Sequence, residues 1–351
     1  MRLLTKLLDA IGGPQAAAAA EAQRHLDTLT KPPGSLGRLE ELAVRLAAVS
    51  GRAPRVSAPV IFTFAADHGV VAEGVSAYPS EVTAQMVYNF LRGGAAINVL
   101  ARHGGIEVGV VDAGVDADLD DAPGLIRSKV VRGAANFTRG PAMTRDEAIR
   151  SVTIGIELAR AAAAEGIELL GIGEMGIGNT TAASAIAATL TESAPEAVIG
   201  YGAGVDDAGL RRKISAVKRA LEINRPDRTD ALDVLAKVGG AEIGVMAGLA
   251  LGAAAERIPV VADGFISTSA AALACVFCRN MRDYLFLGHR SPERGHDSLI
   301  EFIGQRPLLD LQMRLGEGTG AALAMHIIGA AARLLGEMAT FAEAGVSNRE
   351  T

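Results

Sequence analysis

The chain has 351 residues, a formal net charge of −6 and 49% hydrophobic residues. This length is enough for about two domains, and the apolar content is too high for a disordered chain. An acidic chain with 4% aromatic residues and no Trp is unsuited to nucleic-acid binding as its main role, because base-stacking platforms need aromatic side chains.

The first 50 residues are predicted to be helical, with breaks at residues 12–14 and 31–37, where glycine and proline cluster. Short apolar runs then alternate with amphipathic stretches, a pattern typical of a wound parallel sheet. The predicted strands span residues 59–65, 107–112, 129–132, 168–172, 259–262 and 284–287. The predicted helices span residues 80–91, 95–103, 145–165, 180–190, 209–222, 231–237, 240–256, 267–278, 297–303 and 319–341.

These elements predict an α/β fold. We expect a doubly wound, mainly parallel sheet with helices on both faces, plus a smaller helical domain built from the chain termini. The large domain is expected over residues 55–315, and the small one from residues 1–54 together with 316–351. Polar loops follow most of the strands, and in α/β proteins such loops bind ligands.

The two cysteines are too few for a disulfide framework, so we expect a reducing, cytoplasmic location. The N-terminal segment soon acquires charge and predicts a helical hairpin, with neither a signal peptide nor a membrane span. We therefore expect neither nucleic acid nor a membrane as a partner. Cys275 and Cys278 form a lone C-x-x-C in an apolar helix, which favours buried thiols over zinc.

The loop at residues 171–181 carries the most chemical information. Its sequence, Gly-Ile-Gly-Glu-Met-Gly-Ile-Gly-Asn-Thr-Thr, lies between an apolar run and a predicted helix. Its glycines let backbone amides approach a ligand, and a helix start offers free N–H groups and a positive dipole end, which suits a phosphate. Glu174 lies inside this loop, so we expect its carboxylate to contact another part of the ligand.

The same loop formally matches the dinucleotide fingerprint Gly-x-Gly-x-x-Gly. That signal is weak, because the fingerprint needs an acidic residue at the end of a second strand about 20 residues later. Glu192 and Glu196 instead fall in a turn segment. A strand–helix turn that binds nothing is the other alternative, and the Gly-Asn-Thr-Thr ending favours phosphate binding over it.

A second glycine loop, Gly202 to Gly204, could also hold phosphate. Asp206 and Asp207 follow it and could be paired acids for magnesium diphosphate. They do not end a hydrophobic strand, however, so helix capping is favoured. Lys213 is a nearby cation, for which the alternative is a solvated helix face.

Glu317 lies between Gly316 and Gly318, which remove bulk around its carboxylate and let a flat ligand approach. The alternative is an acid that stabilises a helix N-terminus by about 0.3–1 kcal/mol. The predicted site offers backbone amides for a phosphate, carboxylates for a sugar or a cationic centre, and one carboxylate that can take a proton. This combination fits transfer of a phosphorylated ribosyl group through an oxocarbenium-like state. Such a transfer needs no metal when the leaving group is already good.

Five motifs, in order, resemble the nicotinate-nucleotide–dimethylbenzimidazole phosphoribosyltransferase family over about residues 25–340. They begin at Lys31, Ala66, Gly173, Asp263 and Arg314, and read Lys-Pro-Pro-Gly-Ser-Leu-Gly-Arg-Leu-Glu, Ala-Asp-His-Gly-Val, Gly-Glu-Met-Gly-Ile-Gly-Asn-Thr-Thr, Asp-Gly-Phe and Arg-Leu-Gly-Glu-Gly. The resemblance implies transfer of the phosphoribosyl group from nicotinate mononucleotide to 5,6-dimethylbenzimidazole, giving α-ribazole 5′-phosphate and nicotinate with inversion at C1′. It also implies a homodimer, no cofactor or metal, and a large domain that binds nucleotide and base.

The resemblance further assigns roles to residues. Glu317 would be the general base, taking a proton from one benzimidazole nitrogen as the other attacks C1′. The residues expected at the phosphate and ribose are Glu174, Gly176, Gly178, Asn179, Thr180, Thr181, Gly202, Lys213, Asp263 and Ser291. Those expected to line the base pocket are Tyr78, Pro79, Met86, Met175 and Leu315.

The acceptor base stays open, because some relatives carry small or polar side chains at the positions of Tyr78 and Met86. Adenine, other benzimidazoles and phenolics are alternatives. Two other functions stay open as well, a non-catalytic sensor of nicotinate mononucleotide and a nicotinate-nucleotide hydrolase. A sensor has no use for a proton acceptor at Glu317, and an apolar pocket from Tyr78, Met86 and Leu315 would exclude the water that a hydrolase needs.

Overall fold

The structure, a computed structural model, describes residues 2–56, 58–119 and 122–347. Within these ranges the strands are β1 (Pro59–Ala66), β2 (Glu107–Gly114), β3 (Leu125–Arg127), β4 (Leu169–Met175), β5 (Val260–Ala262) and β6 (Leu285–Leu287). They form one sheet in the order β3-β2-β1-β4-β5-β6, and every neighbouring pair is parallel. The predicted parallel α/β sheet is confirmed.

The helices account for most of the remaining regular structure. They are α1 (Arg2–Ala10), α2 (Ala16–Leu26), α3 (Arg38–Ser50), α4 (Glu81–Leu91), α5 (Ala96–Gly104), α6 (Arg145–Ala164), α7 (Asn179–Thr191), α8 (Pro195–Val198), α9 (Asp207–Asn224), α10 (Ala231–Val238), α11 (Ala241–Ala255), α12 (Phe265–Phe277), α13 (Met281–Tyr284), α14 (Arg294–Ile303), α15 (Thr319–Glu337) and α16 (Phe341–Ala344). A short 3-10 helix spans Gly69–Glu73.

Both faces of the sheet are buried under helices. Successive side chains of a strand point to opposite faces, and along β1 Phe62 and Phe64 enter one hydrophobic cluster while Ile61 and Ala65 enter the other. The first cluster includes α6, α7, α11 and α12, and the second includes α2, α3, α4, α5 and α15. This arrangement confirms the doubly wound architecture.

The third strand lies earlier than predicted. It spans Leu125–Arg127, whereas residues 129–132 form a loop. The Ser128 and Val130 amides still donate to the Asp112 and Ala113 carbonyls at the end of β2, but residues 129–132 bend there and do not form a strand. The predicted strand at residues 129–132 was therefore wrong.

The last long helix is shorter than predicted. It ends at Glu337, and a separate turn of helix begins at Phe341. The Thr340 hydroxyl accepts a hydrogen bond from the Glu343 amide, which caps the new helix. The prediction of one helix to residue 341 missed this cap.

The terminal helices pack together, since α3 contacts both α2 and α15. Helix α15 also packs on α5 and on β4. A separate small domain from residues 1–54 and 316–351 stays a prediction, and residues 1 and 348–351 of it lie outside the described part of the chain. Helix α15 is the one described helix that is long and apolar enough to cross a membrane, which is weak evidence for a span because core helices pass the same test.

The strand order reverses between β1 and β4. From β1 the chain proceeds outward through β2 and β3, and from β4 it proceeds the other way through β5 and β6. Open α/β sheets bind ligands at the carboxyl ends of the strands, at this switch point. The loops that follow β1 and β4 are therefore the expected walls of a site.

Candidate active site

A cavity of about 400 Å³ lies at the carboxyl ends of the central strands. The predicted residues that line it are Tyr78, Met86, Glu174, Met175, Gly176, Asn179, Thr180, Gly202, Asp263, Ser291, Leu315 and Glu317. Pro79, Gly178, Thr181 and Lys213 are absent from its lining. The tertiary fold thus brings most of the sequence-predicted residues to one site.

The glycine loop ends in a sharp turn into α7. Gly178 caps this helix at φ +95°, a left-handed conformation that favours glycine, and a Cβ there would lie 2.8 Å from the Val71 side chain. The turn leaves Asn179 and Thr180 at the first positions of the helix, facing the cavity. A helix start in this position is suited to a phosphate, as the sequence predicted.

Lys213 lies directly behind the two glycine loops. Its ammonium donates to the Thr180 hydroxyl at 3.0 Å and to the Gly200 carbonyl at 3.2 Å, and a Cβ on Gly202 would lie 2.8 Å from it. The side chain is buried, so the alternative of a solvated helix face is excluded. Burial lowers the pKa of Lys213 to about 8, although the Glu293 carboxylate acts in the opposite direction.

Glu293 is a site residue that the sequence reasoning missed. It caps α14 from the loop after β6, and its Oε1 accepts a hydrogen bond from the Gly202 amide at 2.9 Å. The neighbouring Ser291 was predicted, and its amide donates to Nδ1 of the buried His296 at 2.8 Å. The polar sequence after β6 pointed to a ligand loop, but no local pattern singled out Glu293.

Two clusters outside the cavity behave as the sequence predicted. The Asp206 carboxylate accepts a hydrogen bond from the Gly209 amide at 2.7 Å and so caps α9. Cys275 is a buried free thiol and Cys278 a partly buried one. Burial raises the pKa of Cys275 to about 12, which leaves this thiol inert.

His68 supports the phosphate loop from behind. Its Nε2 lies 2.6 Å from Oε1 of Glu242, and both side chains are buried. The Gly178 turn packs against it, since a Cβ on Gly178 would lie 3.3 Å from the His68 Cβ. Burial lowers the pKa of His68, but the Glu242 carboxylate raises it, and the net direction is upward. The His68–Glu242 contact therefore helps to hold the loop that follows β1 against the Gly178 turn.

Glu317 has a strained backbone. Its φ is +65°, between Gly316 at +87° and Gly318 at +100°. The left-handed conformation costs a residue with a side chain roughly 1–2 kcal/mol. Two long-range hydrogen bonds hold it, one from the Thr63 hydroxyl to the Glu317 carbonyl at 2.8 Å and one from the Glu317 amide to the Glu174 carbonyl at 3.1 Å. The strain is therefore imposed by the sheet beneath.

The Glu317 carboxylate lies against the start of α5. Its Oε2 accepts a hydrogen bond from the Ile97 amide at 3.2 Å. Burial raises the pKa of this carboxyl, the Ile97 and Ala96 amides lower it, and the net direction is upward. A carboxylate with a raised pKa takes up a proton near neutral pH more readily, as a general base requires.

Asp263 fixes the backbone immediately after Glu317. Its buried carboxylate accepts hydrogen bonds from the amides of Gly318 at 3.0 Å, Gly320 at 2.5 Å and Ala321 at 3.2 Å. Burial nevertheless raises the pKa of Asp263 to about 7. The ribose-binding role that the resemblance implies stays a prediction; in this structure Asp263 caps α15.

Glu174 is the most perturbed carboxyl of the site. Burial raises the pKa of Glu174 to about 8, and the nearby Asp263 and Glu317 carboxylates add to the shift. The hydrogen bond that the Asn179 side-chain amide donates to the Glu174 carboxylate opposes it. The shift therefore favours the protonated form of Glu174 at neutral pH in the folded chain.

We predict that the stability difference between the Glu174→Gln variant and the wild-type chain depends on pH. Unfolded glutamate titrates near 4.3, so between about pH 4 and pH 8 folding must take up a proton at Glu174, and wild-type stability falls as pH rises. Glutamine carries no such penalty, so the variant should gain in relative free energy of unfolding across this window. Urea unfolding from pH 4 to pH 8.5 measures it, and a difference that stays constant with pH contradicts the prediction.

The other wall of the cavity is apolar. Tyr78 and Leu315 lie at its mouth with 51% and 58% of their surface exposed, and Met86 and Met175 also line it. Val82, Ile177, Phe265, Ile266 and Met313 line the cavity as well, and the sequence reasoning missed them. Two of them had a signal in the sequence. Val82 has helical spacing to Met86, and Phe265 belongs to the Asp-Gly-Phe motif.

A helix start suited to a phosphate and three buried carboxylates around one cavity are the arrangement expected of a phosphoribosyltransferase. A family model described as phosphoribosyltransferase, DBI_PRT, matches residues 11–346. The chain belongs to this family.

Its curated relatives carry a more specific name. The nicotinate-nucleotide–dimethylbenzimidazole phosphoribosyltransferase of Geobacter metallireducens is 57% identical over 347 residues, which cover 99% of this chain and 98% of the relative. The protein of that name from Chloroflexus aggregans is 55% identical over 351 residues, covering 100% of this chain and 99% of the relative. A crystal structure of the Thermus thermophilus enzyme of that name matches with a TM-score of 0.89 and 52% identity, covering 95% of this chain and 100% of that one.

Proposed function

We propose that this chain transfers the phosphoribosyl group of nicotinate mononucleotide to 5,6-dimethylbenzimidazole, releasing nicotinate and forming α-ribazole 5′-phosphate. The observation that carries the proposal is the cavity in which the Glu317 carboxylate, the glycine loop of α7 and an apolar wall meet. The names and the high identity of the relatives support it.

In the proposed mechanism Glu317 is the general base. It removes the N–H proton of the benzimidazole while the other ring nitrogen attacks C1′ of the ribose. The bond from C1′ to the nicotinate nitrogen breaks, and its electron pair neutralises the pyridinium. Attack from the face opposite to nicotinate inverts C1′ and gives the α product. Because the leaving group is a pyridinium, the step needs no metal.

The nucleotide is proposed to bind with its phosphate at the start of α7. Gly176, Asn179 and Thr180 face the cavity there, and the positive charge of Lys213 lies behind them. Gly178, Thr181 and Gly202 shape the surrounding loops. Glu174 and Asp263 are proposed to lie on the ribose side in this arrangement. The protonated Glu174 would hydrogen-bond a ribose hydroxyl, and Asp263 would stabilise developing positive charge at C1′ when ionised.

The aromatic base is proposed to bind along the apolar wall. Met86, Met175 and Leu315 supply a surface that suits a flat, apolar ring, with Tyr78 at the mouth. Pro79 lies beside this wall in sequence and is proposed to shape it. From the family resemblance we also propose a homodimer that works in the cytoplasm, with a small terminal domain separate from the large one.

The test is to incubate the chain with nicotinate mononucleotide and a panel of bases, and to identify the products by mass. The proposal predicts α-ribazole phosphate and an equal amount of nicotinate when dimethylbenzimidazole is present. Nicotinate with free ribose 5-phosphate would indicate a hydrolase. Binding of the nucleotide without release of nicotinate would indicate a sensor. Comparing initial rates across benzimidazoles, adenine and phenolics then identifies the acceptor.

A further inference from the structure

The segment of residues 310–316 forms part of the cavity wall, yet its backbone is held by few contacts. We call it the pocket segment. It contributes Met313, Arg314, Leu315 and Gly316 to the cavity and leads directly into Glu317. It lies outside every helix and strand. Its side chains bury little, since Leu311 is 54% exposed and Leu315 is 58% exposed. Something other than apolar packing must keep it in place.

His289 supplies that contact. It follows β6, its side chain is buried, and its Nε2 accepts hydrogen bonds from the Leu311 amide at 2.8 Å and the Met313 amide at 3.4 Å. Within residues 310–316, all of which the structure describes, these are the backbone amides that donate a hydrogen bond. Just before the segment, the Leu309 amide donates to the Gly288 carbonyl, so the chain leaves the end of β6 at the histidine.

We propose that His289 is a positioning residue, which holds the pocket segment through its Nε2 lone pair so that Met313 and Leu315 complete the apolar wall. Only the predicted effect of His289 on turnover rests on the function proposed above. A ring nitrogen that accepts hydrogen bonds carries no proton, so the imidazole is neutral with its proton on Nδ1. Protonation of Nε2 would turn the acceptor into a donor facing two N–H groups and release the segment.

The groups around His289 bear on its protonation. Burial lowers the pKa of His289, while the Asp310 carboxylate acts in the opposite direction, and the net direction is downward. Asp310 lies within reach of Arg290, whose guanidinium is 3.4 Å from it. His296 on α14 and Asp263 after β5 are the other titratable groups nearby. The segment is therefore expected to be anchored at neutral pH and to loosen in acid.

Two variants of similar size separate the lone pair from packing. In His289→Gln the side-chain oxygen reaches the position of Nε2 and can still accept, whereas His289→Leu has no acceptor. We expect hydrogen–deuterium exchange of the peptide spanning residues 308–317 to be about 10-fold faster in the leucine variant and close to wild type in the glutamine variant. This measurement needs no substrate, so it stands even if the chain proves to have another activity.

Kinetics give the second measurement. The leucine variant should raise the KM for dimethylbenzimidazole by about 10-fold and leave the KM for nicotinate mononucleotide within about 2-fold of wild type. In the glutamine variant the KM for dimethylbenzimidazole should return to the wild-type value. As the pH falls below the ordinary histidine pKa of about 6.5, the wild-type KM for the base should rise more steeply than that of the glutamine variant, because protonation of the base itself affects both equally. Thermal unfolding checks the fold of each variant. If leucine is not tolerated, His289→Asn replaces it, because its shorter side chain cannot reach the two amides.

Three results would overturn the proposal. The exchange of residues 308–317 could match the wild type in the leucine or asparagine variant. The KM for the base could stay unchanged while exchange accelerates, which would separate anchoring from base binding. Both KM values could rise equally, which would indicate a general structural role. Failure of the wild-type chain to form α-ribazole phosphate would instead reject the proposed function and leave the exchange result to decide the role of His289.

Discussion

The Glu317→Gln variant is expected to turn over dimethylbenzimidazole about 10²–10⁴-fold more slowly than the wild-type chain. Glutamine has nearly the same shape as glutamate, but its amide cannot take up the benzimidazole proton. Its side-chain oxygen can still accept the hydrogen bond from the Ile97 amide that Oε2 accepts now. The backbone contacts from Thr63 and to Glu174 do not involve the side chain and should persist. The loss should therefore be chemical and leave the fold intact.

Steady-state turnover and calorimetric binding of nicotinate mononucleotide measure this prediction together. Nucleotide affinity should change by less than about 3-fold, because the phosphate end of the cavity is untouched. The Glu337→Gln variant is a matched control, since Glu337 is an exposed residue at the end of α15 that pairs with Arg333. Near-normal turnover of the Glu317→Gln variant would remove Glu317 as the base.

The Gly173→Ala variant is expected to lose both stability and activity. A Cβ on Gly173 would lie 2.4 Å from the Glu317 carbonyl oxygen and 2.4 Å from the Gly318 amide nitrogen. Both contacts are with backbone, in a segment already held at positive φ, so the clash cannot be relieved by a side-chain rotation. Overpacking of this kind costs about 1–3 kcal/mol in the free energy of unfolding.

The same clash should displace the carboxylate of Glu317, the proposed general base. A shift of about 1 Å in a reacting group can cost about 10²-fold in turnover, so we expect a loss of that order. Gly336→Ala is the control within α15, because a Cβ there meets no heavy atom within 4 Å, and it should stabilise the chain by about 0.5–1 kcal/mol. Urea unfolding and turnover of both variants provide the test. Wild-type turnover of Gly173→Ala would show that Glu317 tolerates displacement.

Much of the fold could be predicted because its signals are local. Apolar runs of strand length, punctuated by glycine and proline, placed five of the six described strands within a few residues. The exception, β3, is a three-residue edge strand, and the predicted segment that follows it bends into a loop against the end of β2. The end of α15 was missed for a related reason, since the short cap at Thr340 competes with an apolar pattern that continues past it.

In the candidate site, too, local features could be predicted from the sequence and long-range contacts could not. Glycines on both sides of Glu317 pointed to it from sequence, and φ values of +87°, +65° and +100° along residues 316–318 show why bulk is excluded there. The sequence reasoning left the burial of Lys213 open, although its helical spacing to Ala216, Val217 and Ala220 places it on the buried face of α9. Asp263 accepts hydrogen bonds from the start of α15, and His289 accepts them from the pocket segment. Each of these bonds joins residues more than 20 positions apart, so no local pattern could predict it.

The sequence by itself determined the alternation of strands and helices, the phosphate-type turn at residues 171–181 and the identity of the family, because each depends on neighbouring residues or on motifs in order. Only the tertiary structure decided which loops meet. The strand order brings the ends of β1, β4, β5 and β6 to one edge, and burial at that edge removes water from Glu174, Asp263 and Glu317. Desolvation and hydrogen bonds between distant segments set the pKa values and the backbone strain of these groups, and neither effect exists until the chain has folded.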